Sequence, residues 1–243
     1  MKQEYDQYTE EDVEVWNLLF EEQKKNLPGK AHPEYLNCLD QLSSVLNANT
    51  IPHFEKLNQQ LAAENGWSIE VVPGLISVEE FFEYLANKKF CSSTWMRAKE
   101  NLEYLEEPDM FHDIFGHVPL LMNSDYSDFA QKLGKLGQKY AHDNAVLKKL
   151  QRLYWFTIEF GLIRSDQELR IYGAGIISSS GETNHIYEDD IEVLDYDLSK
   201  ILEQDFNISE IQSRYFVIDS FTQLYNSMSN LESLLEAGEP IEA

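Results

Sequence analysis

Along much of the chain apolar positions recur every three to four residues, the period of a helix with one buried face. VEVWNLLFEEQKKNL carries such a stripe in the first quarter. Thr9 offers a cap, with Asp12 three residues on as in a capping box, and Pro28-Gly29 ends the helix. Pro33 opens a second helix, with Leu36, Leu39, Leu42 and Leu46 at helical spacing, and Pro52 opens a third that ends near Asn65-Gly66.

The pattern then shortens. WSIEVV alternates like a strand and turns at Pro73-Gly74. Ser77 with Glu80 gives an N-cap before FFEYLANKK, and FCSSTWM reads as a strand or extended segment. A long helical stretch is expected from about Asp125 to Arg164, broken near Asp143-Asn144. RIYGAGIISSSGE has the glycines and β-branched residues of strand and turn, SRYFVID reads as a short strand, and FTQLYNSMSNLESLLEA as a final helix. These elements predict a mainly α fold with a few short β-strands (α+β). With no repeat or long linker, residues 1–243 are expected to form a single compact domain. Its parts are a helical stretch over 1–65, a mixed core over 66–225, and a helix with an acidic tail over 226–243.

A chain of 243 residues, 43% hydrophobic, is long and apolar enough for one sizeable core. Charge narrows the partners. With 19 basic against 43 acidic residues the net charge is −24, which repels phosphate backbones and anionic membranes, so no nucleic acid and no membrane partner is expected. The acidic excess, as in YEDDIEVLDYDLSKILEQD, reads as a solvated surface. No apolar run approaches the roughly 20 residues of a bilayer span. The start, MKQEYDQYTEED, is too polar for a signal peptide, so a cytoplasmic location is expected. Cys38 and Cys91 make no disulfide framework and read as small core residues.

PDMFHDIFGHVPLL, residues 108–121, holds the first candidate chemistry. His112 and His117 are five apart, and on an α-helix such residues sit roughly 140° from one another. Pro119 disfavours helical geometry at Val118, so a helix opening near Pro108 is expected to end there. His112 then lies inside the helix and His117 at its frayed end, where Gly116 lets the backbone turn. Convergence on one point is one reading, with Asp109 and Asp113 as groups that orient imidazoles. Packing histidines are the other. The spacing is not that of HExxH.

YWFTIEFGL, residues 154–162, sets Glu159 in an apolar run with no Lys or Arg within four residues. A buried, unpaired carboxylate costs several kcal/mol or shifts its pKa strongly, so Glu159 needs a cation. A distant arginine, or protonation, would serve. So would a metal, and His112, His117 and Glu159 together suggest the two-histidine, one-carboxylate set of non-heme iron(II).

PDMFHDIFGHVPLL, YWFTIEFGL and YGAGIISSSGE, in this order and spacing, resemble the pterin-dependent aromatic amino acid hydroxylases. The likeness covers roughly residues 65–225 and is greatest to the short bacterial phenylalanine 4-hydroxylases. It implies one catalytic domain whose 66–225 core binds iron(II), through His112, His117 and Glu159, and tetrahydrobiopterin or a related tetrahydropterin. The implied reaction converts L-phenylalanine and O2 to L-tyrosine, one oxygen atom going to the ring and the other to the pterin.

On substrate, the resemblance implies that Arg97 grips the amino acid carboxylate, a task that suits a guanidinium's two parallel hydrogen bonds. Asp109 braces Arg97 and His112. Trp155 lines the ring pocket, Ser178 lies near substrate and His112, and Pro108 and Gly175 shape the pocket. Val217 stands where tyrosine hydroxylases carry an acidic residue. Read without the family, Arg97 suits a surface ion pair, Trp155 a core, and Ser178 a turn. The pterin would meet backbone groups of Gly74, Leu75 and Ile76 and stack on Phe81, with Asp113 and Tyr154 beside it. Leu105 replaces a substrate-holding threonine of animal members. The regulatory domain and tetramerising helix of those members have no counterpart, so a monomer is expected. Rival readings are a tyrosine or tryptophan hydroxylase, a zinc hydrolase on the same ligands, and an inactive binding protein.

Overall fold

Thr9 caps the first helix as the sequence predicts. Its hydroxyl accepts the Asp12 N–H at 3.2 Å, and the Asp12 carboxylate accepts the Thr9 N–H at 2.7 Å, satisfying two orphan donors at the helix start. This helix, α1 (Glu10–Asn26), has Glu10, Glu11 and Asp12 in its first turn and Lys24 and Lys25 in its last, which suits the helix dipole at both ends. It buries Val15, Trp16, Leu19 and Phe20. The structure, a computed structural model, describes residues 1–102, 107–188, 191–208 and 210–237.

Two further helices follow, α2 (Pro33–Gln41) and α3 (Phe54–Glu64). The second is shorter than its leucine spacing predicts, because Leu42 and Leu46 reach the core from turns. β1 (Ser68–Val71), α4 (Val78–Ala86) and β2 (Lys89–Ser92) form a parallel β-α-β unit in which Ser68 faces Lys89 and Val71 faces Ser92. The Ser77 hydroxyl caps α4 on the Glu80 N–H.

The stretch expected as one broken helix is two helices and more. α5 (Ser124–Lys139) and α6 (Asn144–Tyr154) part at Asp143, whose carboxylate accepts the N–H groups of Ala145 and Val146. α5 lies so close to α4 that a Cβ on Gly134 would strike the backbone of Leu85 and Ala86, and one on Gly137 the Phe82 ring. Helix does not continue to Arg164. It ends at Glu159, and β3 (Leu162–Ser165) turns back through Asp166 and Gln167, both at positive φ, into β4 (Glu168–Ile171).

Only the first two residues of RIYGAGIISSSGE are strand. The rest forms α7 (Ala174–Ile177) and α8 (Ser180–His185), the latter capped by Ser179 on the Glu182 N–H. β5 (Glu192–Asp195) and α9 (Leu198–Glu203), which the sequence pattern did not reveal, precede β6 (Arg214–Ile218) and α10 (Phe221–Ala237). The four-stranded sheet has the order β4-β3-β6-β5, with β6 parallel to both of its neighbours. The mainly helical class with short strands is as expected.

An aromatic cluster ties α1 and α2 to the histidine segment. Phe111 and Phe115 stack at 4.8 Å, Phe20 meets Phe115 edge-on at 5.0 Å, and the Tyr35 hydroxyl donates to the Phe115 carbonyl at 2.7 Å. The backbone that carries the histidines is thereby held from behind.

Candidate active site

The spacing of five has a backbone explanation. Residues His112–His117 and Trp155–Glu159 form two π-helical turns, in which each N–H reaches five residues back. The Phe160 N–H donates to the Trp155 carbonyl at 2.8 Å in this way. Residues five apart therefore stack on one face. His112 lies over His117, the Tyr154 hydroxyl hydrogen-bonds Glu159, and the Trp155 and Phe160 rings pack at 4.6 Å.

This corrects the expected frayed end. His117 is fully enclosed, and Val118 stays helical (φ −60°, ψ −39°) because a 3-10 turn over Pro119–Met122 takes up the chain. Met110, two residues after Pro108, is the first helical residue. Gly116 serves close approach rather than a turn, since a Cβ there would lie 2.9 Å from the Ala174 carbonyl oxygen of α7.

Three donor atoms meet where the two segments face each other. His112 Nε2 is 3.2 Å from His117 Nε2 and 3.5 Å from Glu159 Oε2, and His117 Nε2 is 3.1 Å from Glu159 Oε1. Ligands about 2.1 Å from one ion at right angles would stand about 3 Å apart, so the separations suit one shared ion. Ser178 Oγ donates to the Ala174 carbonyl at 2.8 Å and lies 2.9 Å from His112 Nδ1. With its hydrogen so committed, it accepts from Nδ1–H, which leaves the Nε2 lone pair facing the other donors.

Electrostatics agree with a cation site. Burial is the main cause holding His112 down at about 4, so the ring is neutral and free to ligate at pH 7. Burial pushes Glu159 up, yet the two histidines and the Tyr154 hydroxyl outweigh it and hold the carboxyl at about 2. Burial raises Asp113 well above the usual carboxylate range, although its Oδ2 accepts the Ser93 N–H at 3.0 Å.

The donors form one wall of a cavity of about 320 Å³. Of the residues singled out from the sequence, it brings together Gly74, Leu75, Ile76, Phe81, Pro108, His112, Asp113, His117, Tyr154, Trp155 and Glu159. Phe81 meets Tyr154 edge-on at 5.0 Å. Cys91, expected in the core, lines the cavity too, and burial lifts its thiol to about 12, which disfavours a thiolate ligand.

Other expected residues stand behind the walls. Arg97 forms a two-bond pair with the fully buried Asp109, Nε to Oδ2 at 2.8 Å and Nη2 to Oδ1 at 2.9 Å. Burial pushes Asp109 up, but Arg97 outweighs it and lowers the carboxyl, which also accepts the His112 N–H at 3.1 Å. One edge of the guanidinium is thus committed, and Nη1 donates to the Leu102 carbonyl at 3.0 Å. Gly175 lies against Phe160, where a Cβ would come 2.8 Å from that ring, which in turn packs on Trp155. Val217 is buried in β6, paired with Leu162, and does not line the cavity. Leu105 lies outside the described residues.

Sequence reasoning missed Val72, Val78, Phe82, Phe90, Ser93, Gln151, Phe206 and Ile208 in the lining. Phe206 stacks on Trp155 at 4.3 Å with an interplanar angle of 12°.

The family model described as biopterin-dependent aromatic amino acid hydroxylase matches residues 4–238. The chain belongs to this family. Among its relatives in this hydroxylase family, phenylalanine-4-hydroxylase of Chromobacterium violaceum is 44% identical over 228 residues, covering 93% of this chain and 76% of the relative. The phenylalanine-4-hydroxylase of Ralstonia nicotianae is 45% identical, covering 93% of this chain and 72% of its own length. A crystal structure of the Chromobacterium violaceum hydroxylase with bound iron(III) and oxidised 7,8-dihydrobiopterin superposes with a TM-score of 0.91 at 43% identity, over 99% of this chain and 87% of that one. The histidines and glutamate here fit the iron of that relative, because their lone pairs converge and an enclosed carboxylate lies among them.

Proposed function

We propose that the chain is a phenylalanine 4-monooxygenase, converting L-phenylalanine and O2 to L-tyrosine with iron(II) and a tetrahydropterin. The observation that carries this reading is the convergence of His112 Nε2, His117 Nε2 and Glu159 on one wall of a cavity whose other walls include Phe81, Phe90, Trp155 and Phe206. Bound iron and reduced pterin supply the activation of O2.

The chain's own part is placement. His112, His117 and Glu159 would hold the iron at the cavity wall. Ser178 holds the His112 ring in its ligating tautomer. Trp155 and Pro108 flank the slot for the substrate ring. Arg97, braced by Asp109, offers its remaining N–H groups to the substrate carboxylate. On the opposite side the backbone of Gly74–Ile76 and the Phe81 ring hold the pterin, with Asp113 and Tyr154 at its polar edge. The apolar walls keep water from the reacting atoms. A monomer acting in the cytoplasm completes the reading, supported by a net charge of −24 that opposes self-association.

The test is anaerobic protein loaded with Fe(II), given phenylalanine, tetrahydropterin and air, and assayed for tyrosine. The expected result is tyrosine that requires both iron and pterin, and an iron content that falls in His112→Ala. No tyrosine, with His112→Ala holding as much iron as the wild type, overturns the proposal. Parallel assays with tyrosine and tryptophan rank the substrates, and sedimentation gives the oligomeric state.

A further inference from the structure

Gln212 is a buried polar residue next to the cavity, though it does not line it. It is 7% exposed and makes five hydrogen bonds. Its N–H donates to Glu182 Oε1 at 3.2 Å, and its carbonyl accepts the Tyr215 hydroxyl at 2.8 Å. Its Nε2 donates to the carbonyls of Asn207 and Glu210 at 2.8 and 2.9 Å. Its Oε1 accepts the indole N–H of Trp155 at 3.2 Å. The amide can stand only this way round, since flipping it would set Oε1 against two carbonyls and NH2 against an N–H.

Four of these bonds hold a loop, and the fifth holds a wall of the cavity. Trp155 packs against Phe206 and Phe160, contacts that set the plane of its ring. Stacking tolerates sliding and rotation within that plane, whereas an N–H···O bond has a direction. Among the described residues, the bond to Gln212 Oε1 is the directional contact that fixes which edge of the indole faces the cavity. Gln212 is itself anchored by Glu182, whose Oε2 lies 3.0 Å from the same Tyr215 hydroxyl and shares its one hydrogen with the Gln212 carbonyl.

We infer that Gln212 is a positioning residue for substrate: it sets the in-plane orientation of Trp155 and thereby the width of the slot that takes the aromatic ring. The inference rests on the hydroxylase reading above. It makes the residues around Gln212 a determinant of ring selectivity, acting through Trp155 and not by contact with substrate.

A double-mutant cycle tests it, with Gln212→Met, Trp155→Phe and the pair. KM for phenylalanine and kcat are measured, together with the dissociation constant of phenylalanine on iron-loaded, anaerobic protein and the iron content. A single neutral hydrogen bond predicts that Gln212→Met raises KM and the dissociation constant about three- to tenfold, with kcat changed less and iron retained. In the Trp155→Phe background, which has no indole N–H, the same substitution is expected to change them less than about twofold. Equal factors in both backgrounds overturn the inference, because Gln212 would then act only as a tie within its loop. Should Gln212→Met fail to fold, Gln212→Asn replaces it, keeping an amide for the loop carbonyls while drawing the acceptor back from the indole. A KM raised with Trp155 present and not in the Trp155→Phe background then supports the inference, and a KM unchanged in both or raised equally in both overturns it. Wild type that neither binds nor hydroxylates phenylalanine refutes the hydroxylase reading. Wild type that does both, with factors that multiply, refutes only the role of Gln212.

Discussion

On the ligand side of the cavity Asp109, His117 and Ser178 are 0%, 1% and 5% exposed, while at the mouth Leu75 and Ile208 are 75% and 59% exposed. The inner side is hydrogen-bonded twice over: His112 is held by Ser178 at its ring and by Asp109 at its backbone. The outer side is built of aliphatic chains on loops. A metal site requires fixed distances and is set on helical backbone packed from behind. A mouth through which ligands pass can be left exposed. The contrast predicts that substitutions lose effect steeply from the inner wall outward.

The largest effect is expected at the donors themselves. Glu159→Gln removes the one anionic ligand, so iron content and tyrosine formation should both fall, the latter by roughly a thousandfold or more. Metal analysis beside a turnover assay checks it, and retained iron would deny Glu159 its place as ligand.

Behind the wall, Asp109→Ala strands the Arg97 charge in a buried setting. A destabilisation of about 3–5 kcal/mol is expected by urea unfolding. A change under about 1 kcal/mol would mean that Arg97 finds water or another partner, and that the inner side is less closed than its packing indicates.

Ser178→Ala comes next. It leaves the three donors but frees the His112 ring, and iron affinity should weaken about ten- to hundredfold. Competition with a chelator measures this.

Acid probes the same wall. Burial lowers His112 from 6.5 to about 4, so between these values the unfolded chain binds a proton that the folded one refuses. The metal-free protein should therefore lose stability as pH falls from 6.5 toward 4, and His112→Ala should lose less. Glu159, held at about 2, acts in the same direction below its ordinary value of 4.5. Urea midpoints at several pH values test this.

At the mouth, Leu75→Ala should change KM for pterin or phenylalanine less than about threefold, as exposed side chains contribute little. A tenfold change would erase the distinction between the two sides.

The legible features were local ones. Caps at Thr9 and Ser77 and the break at Asp143 sit where the sequence sets them, since each is decided by a few neighbouring residues. The ligand triad was legible because a carboxylate in YWFTIEFGL demands a cation. The rest depended on contacts far apart in sequence. The glycines of YGAGIISSSGE suggested turns, but α7 is helical and packs where Gly116 and Gly175 leave room. Gln212 and Phe206 reach Trp155 across some fifty residues, and no period in the chain marks them. The five-residue spacing was judged on an α-helical frame and so pointed to a frayed end instead of a π turn.

Those π turns have a genetic consequence. Each holds one residue more than an α-helical turn spanning the same height, so the centre depends on chain length as well as on side-chain identity. Removing Ile114 would leave every ligand in place and turn the histidine pair into an i, i+4 pair on an ordinary helix. A survey of substitutions would pass over this dependence. A survey of single-residue deletions would find it at two short windows, 112–117 and 155–159.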